Sequence, residues 1–135
     1  MREILRSLIV TIAVAMLTVA CVANREPIMV SQVAPDQIIG TWTGAWSSGN
    51  HGGNAELTIY FVGAHNVYGK LIAKNTPAGT KFWSMSGTVD KDEFIFGNLK
   101  FSLSRGEDGV LHLDGISVKA GLMDTIYHLT QKSGN

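Results

Sequence analysis

The chain has 135 residues, with 11 Lys and Arg against 11 Asp and Glu, a formal net charge of zero. That length fits one domain. The even charge balance lacks the basic footprint of a nucleic-acid binder, and a single cysteine excludes both an intrachain disulfide and a Cys-based zinc cage. The chain opens on Arg2 and Arg6, then runs apolar from Leu8 to Ala20, broken only by Thr11 and Thr18. Extended to Ala23, the run would measure roughly 24 Å as a helix, short of a ~30 Å hydrocarbon core. A basic start, a short apolar run and small residues at its end predict a secretory signal peptide over residues 1–23. Its removal leaves 9 cations and 10 carboxylates, a net charge of −1.

Leu17-Thr18-Val19-Ala20-Cys21 resembles the lipobox of bacterial lipoproteins, in which the cysteine becomes the lipidated first residue. That resemblance implies lipid attachment at Cys21. Val22, where the inner-membrane retention signal would place Asp, implies an outer-membrane destination. Cleavage after Ala20 or Ala23 is the alternative, and gives a periplasmic or secreted protein without an anchor. Residues 24–36 follow, with Pro27 and Pro35 and no sustained period. They read as a linker holding a domain off the membrane.

Residues 37–135 read as that domain. No helix-length apolar stripe occurs, and short runs alternate at period two between glycine-rich turns, which predicts all-β structure. Trp42, Gly44 and Trp46 share a face in the first run. Ala55, Leu57, Ile59 and Phe61 form the inward face of the second. Val67, Gly69, Leu71 and Ala73 form that of the third. A longer loop over 75–81 leads to a fourth strand, Phe82 to Val89, with Trp83, Met85 and Val89 on one face. Asp90-Lys91-Asp92 turns the chain into a short run, Glu93 to Phe96. Leu99, Phe101 and Leu103 follow, then the turn Arg105 to Gly109. Val110 to Val118 and Met123 to Lys132 complete about eight strands, the last with Tyr127 and Leu129 on one face. Connections this short favour sequential antiparallel neighbours. Eight such strands hide their edges by closing into an up-and-down barrel, with a flattened barrel or open sandwich as the alternative.

Gly40-Thr41-Trp42 resembles the Gly-x-Trp signature that opens the first strand of lipocalins, avidins and their relatives. Tyr127 to Lys132 is similar to the last strand of such barrels. The resemblance implies a lipocalin-like (calycin-type) barrel, with a cation near the last strand, here Lys132, packed over Trp42. It implies the architecture and no particular ligand.

Trp42 reads as floor packing, since small barrels fill their interiors. Trp46 lies nearer the far end of its strand, and Trp83 opens a strand after the longest loop. Together with Phe82 and with His51, in a Gly- and Ser-rich loop over 47–54 that reads as a lid, they are the candidate ligand-binding residues at the mouth. Tyr60 and Tyr68 belong to the outer face, as a contact surface or simply a cross-strand pair. His112 and Asp114 share a face that closure would bring near His128, but solvated residues are the plainer reading and no metal is expected. There is no Gly-x-Ser-x-Gly elbow, and the carboxylates cluster at turns, so the chain does not read as an enzyme and no cofactor is expected. Two functions remain. One is a module taking a small apolar or aromatic ligand or a lipid at the mouth. The other is a solid barrel that binds or inhibits another envelope protein, as small lysozyme-inhibiting lipoproteins of similar size do. Interior volume separates them, since a cavity below about 150 Å³ leaves no room for an ordinary ligand.

Overall fold

In a computed structural model, which describes residues 25–131, nine strands occur among the described residues. They are β1 (Arg25–Pro27), β2 (Gly40–Ser48), β3 (His51–Val62), β4 (Asn66–Thr76), β5 (Gly79–Asp90), β6 (Glu93–Phe96), β7 (Leu99–Gly106), β8 (Leu111–Lys119) and β9 (Leu122–Gln131). Each of β2 to β9 pairs antiparallel with its successor, and β9 pairs back onto β2 through Trp42↔Gln131 to Ser47↔Ile126. The eight strands therefore form a closed up-and-down barrel. The signal peptide, Cys21 and Lys132 lie outside the described residues. No helix among the described residues is long and apolar enough to cross a membrane.

The alternation read from the sequence is the inside–outside alternation of the wall. Leu57, Ile59, Val67, Phe94, Phe101, Leu103, Leu113 and Leu129 are buried with Trp42 in one core. Two glycines make room for large neighbours. A Cβ on Gly115 would stand 2.5 Å from the Phe101 ring, and one on Gly53 would stand 2.2 Å from the Lys74 carbonyl oxygen.

The register shifts in three ladders, β3–β4, β4–β5 and β8–β9, and the first shift moves a residue that the pattern placed inside. A bulge between Ile59 and Phe61 inserts one residue into β3, so Val62 and not Phe61 returns to the core. The sequence pattern placed Phe61 inside. In the structure it is turned out, with its ring 5.6 Å from that of Tyr68. An extra residue flips every later side chain to the other face. Tyr60 and Tyr68 are on the outer face as expected.

The linker expectation over 24–36 is corrected for its described part. β1 adds to the edge of β7, and the Ile28 amide donates to the Leu103 carbonyl. A 3-10 turn (Val30–Gln32) and a one-turn helix α1 (Pro35–Ile38) then cross the closed end of the barrel. Val30, Val33 and Ile38 are buried there, the last completely. The Trp42 indole N–H donates to the Ile38 carbonyl over 2.9 Å and ties this segment to the floor. Arg25 adds an ion pair to Asp114 at 2.8 Å.

One part of the wall is incomplete. β5 pairs with β6 only from Thr88 to Asp90. The edge of Gly79 to Gly87 that faces away from β4 has no strand partner among the described residues, which leaves a notch above the β6–β7 turn.

Candidate functional site

The chain fills only one half of the barrel. The N-terminal segment and Trp42 seal the end carrying the β3–β4, β5–β6 and β7–β8 turns. At mid-height Phe101 packs against Phe96 at 6.3 Å, edge-on, and against Tyr127 at 5.7 Å. Above this aromatic shelf, toward the β2–β3, β4–β5 and β8–β9 turns, the interior opens into a cavity of about 780 Å³.

Strand length explains the room. β3 and β5 have 12 residues each and β4 has 11. The Gly-, Ser- and Asn-rich stretches that read as loops are paired strand. Ser47↔Gly52 and Ser48↔His51 continue the β2–β3 ladder, so the expected lid over 47–54 is instead a hairpin with a two-residue turn at Gly49–Asn50. The expected loop over 75–81 shrinks to Pro77–Ala78.

Apolar walls come from Trp46, Leu71, Trp83, Met85, Phe96 and Tyr127. The Trp46 indole lies over side-chain-free Gly53 and donates its N–H to the Lys74 carbonyl at 2.7 Å. That bond reaches across β3 to β4 and holds the ring flat against the wall. Leu71 stands opposite Trp83 across the β4–β5 ladder, and Met85 follows two residues on along the same face. The rim is polar, with His51, Lys81, Lys119 and Asp124 among its residues. Tyr127 is buried below Asp124. Burial first, and the Asp124 charge second, push its phenol above the ordinary tyrosine value, so it stays neutral near pH 7 and keeps a proton to donate. Its hydroxyl makes no hydrogen bond among the described residues.

Trp46, Trp83 and His51 all line this cavity. Phe82 does not. It pairs with Ile72 on the outer face and is 65% exposed, because it is one residue out of phase with Trp83. Tyr127, Met85, Phe96 and the rim lysines were not picked out from the sequence as site residues. Their signal was the inward parity of Met85 and Tyr127 near the mouth ends of their strands.

The histidine cluster forms in part. Asp114 meets the His128 imidazole Nδ1 at 2.8 Å on the outer face, but its other oxygen is taken by Arg25. No group of three metal-ligating side chains occurs among the described residues. A second hollow of about 470 Å³ lies at the floor between the N-terminal segment and the β3–β4 turn. It has no aromatic lining, and Lys91 is its one charged residue.

No family model matches this chain, and no curated protein matches it in sequence. Among solved structures it is similar to Ex-FABP, described as a siderocalin that functions through dual ligand specificities. The two overlay with a TM-score of 0.52 over 72% of this chain and 71% of the other, at 15% identity. The fold is lipocalin-like. In the lipocalin-like barrel the Gly40-Thr41-Trp42 opening sits where the sequence resemblance put it, at the start of the first barrel strand with its indole on the floor.

Proposed function

We propose that the lipocalin-like barrel binds a small apolar or aromatic ligand, or the apolar part of a lipid, in the cup above Phe101. The observation that carries the reading is the cup itself, about 780 Å³ with indole faces from Trp46 and Trp83. Ordinary ligand pockets span roughly 300–1,000 Å³. A ligand that buries about 200 Å² of apolar surface gains on the order of 5 kcal/mol before the cost of association. The Tyr127 hydroxyl and the rim side chains supply the few polar contacts that fix orientation. The envelope-protein alternative presupposed a solid barrel, and a hollow this size speaks against it.

Titration with fatty acids and with an aromatic probe, read by tryptophan emission, tests the proposal. Saturable binding is expected. Trp83→Ala weakens it at least about tenfold, as the loss of a buried aromatic face requires. Phe82→Ala leaves it unchanged. A thermal-shift screen with fatty acids, sugars and lysozyme gives the opposing result room to appear. A melting temperature raised by lysozyme alone would return the protein to the inhibitor class.

Export belongs to the same proposal. It rests on Arg2, Arg6 and the apolar run that ends at Cys21. The protein then works in the periplasm or at the outer membrane, held by a lipid on Cys21, or is secreted after ordinary cleavage. Mass spectrometry of the mature N-terminus decides between an acylated Cys21 and an unmodified start, and a retained Met1 overturns export.

A further inference from the structure

We infer that the mouth end of the barrel docks on an anionic lipid surface. Charge is divided along the barrel axis. At the mouth end stand Lys74, Lys81 and Lys119, with Lys100 lower on the wall beside Phe101; Asp124 at the rim and Glu56 next to Lys74 are the carboxylates near them. None of the four lysines is in an ion pair among the described residues. The floor end is the reverse. Its β5–β6 and β7–β8 turns, with the residues flanking them, carry Asp90, Asp92, Glu93, Glu107 and Asp108 against Lys91 and Arg105. A net charge near zero thus hides a strong dipole.

Exposed apolar side chains are interleaved with the lysines. Leu122, at the tip of the β8–β9 hairpin, is 74% exposed and pairs with Lys119. Ile116 and Val118 are exposed on the outer face of β8, the face opposite to Lys119, and Lys100 stands directly across from Ile116. Phe82 lies across the notch on β5, one residue from Lys81. An apolar side chain beside a lysine suits the boundary between headgroups and acyl chains, where the ammonium meets phosphate and the hydrocarbon enters the bilayer. Lysines facing an anionic leaflet are attracted within a Debye length, while the acidic floor is repelled, so one end of the molecule is selected. The proposal goes beyond ligand binding and holds for an empty cup. If Cys21 is acylated, the surface met by the mouth is one that faces the anchoring membrane.

The test uses the full chain with vesicles of phosphatidylcholine alone or with phosphatidylglycerol added, the acyl chains brominated as a contact quencher. All three tryptophans lie between residues 42 and 83, and only Trp83 is exposed, so emission reports the mouth and ignores residues 1–24. Quenching is expected on the phosphatidylglycerol vesicles, lost in high salt and absent in Trp83→Phe. Each lysine near an anionic surface is worth roughly fivefold in partitioning, so Lys81→Gln with Lys119→Gln weakens binding by roughly twentyfold. Leu122→Glu weakens it at least about tenfold. Tyr68→Glu, at the floor end, leaves it intact, and circular dichroism confirms that each variant is folded. Equal quenching on neutral vesicles, vesicle binding without quenching of Trp83, or indifference to salt would each overturn the inference.

Discussion

Replacing Trp42 by Phe tests the division of the barrel into a solid floor and a hollow mouth. Trp42 is fully buried, and its N–H is the donor to the Ile38 carbonyl at 2.9 Å. Phenylalanine removes the donor and leaves that carbonyl without it in a dry site, at about 1–3 kcal/mol. The smaller ring leaves a void costing on the order of 1 kcal/mol more. The sum is about 2–4 kcal/mol. With a urea m-value of about 1.5 kcal/mol/M, the unfolding midpoint falls by about 1.5–2.5 M. Trp46→Phe is the control. It also loses one indole bond, to Lys74, but at the wall of an open cup, where water can replace the donor. Its cost is about 1 kcal/mol. Urea titration followed by far-UV circular dichroism measures both. Equal losses at the two positions would refute the assignment of floor and mouth.

Four further outcomes follow from named contacts. Gly53→Val drives a side chain into the Lys74 carbonyl and the Trp46 indole, so thermal unfolding should show a loss of at least about 1–3 kcal/mol together with a shift in tryptophan emission. Tyr127 ionises above the ordinary tyrosine value in the folded chain. Stability should therefore hold up to about pH 10, where the unfolded phenol begins to lose its proton, and fall from there toward the folded value. Asp124→Asn removes the smaller of the two causes, so an ultraviolet titration of the folded protein should show the last phenol ionising earlier, with the effect of burial still present. Asp114→Asn weakens the exposed Arg25 pair, which at that exposure contributes no more than about 0.5 kcal/mol globally. Its readout is faster hydrogen exchange over residues 25–32, and unchanged exchange there would show that Arg25 does not hold β1.

The barrel was legible because period two holds over most of each wall strand, between the bulges, and the turns are short. Gly40, Trp42 and the pairing of consecutive strands all fall where the pattern puts them. What escaped depends on contacts distant in sequence. Val30, Val33 and Ile38 show no period, and they become floor only because a barrel stands ready to receive them. Phe61 was misplaced by a bulge that leaves no compositional mark. The cup was underestimated for a related reason. Gly52, Gly53 and Asn54 look like loop until Trp46 is laid across Gly53, and the strands then gain the extra length that hollows the mouth. Trp46, Trp83 and His51, which line the cup, were singled out because aromatic and imidazole groups draw notice, whereas Tyr127 and Met85 looked like ordinary filling.

The incomplete seam beside β5 carries a liability of its own. From Gly79 to Gly87 the strand offers amides and carbonyls to any extended chain alongside, has no proline to spoil the match, and is guarded by a single charge at Lys81. When the protein is crowded or warmed, neighbouring molecules should stitch together first along this margin, and neutralising Lys81 should hasten it.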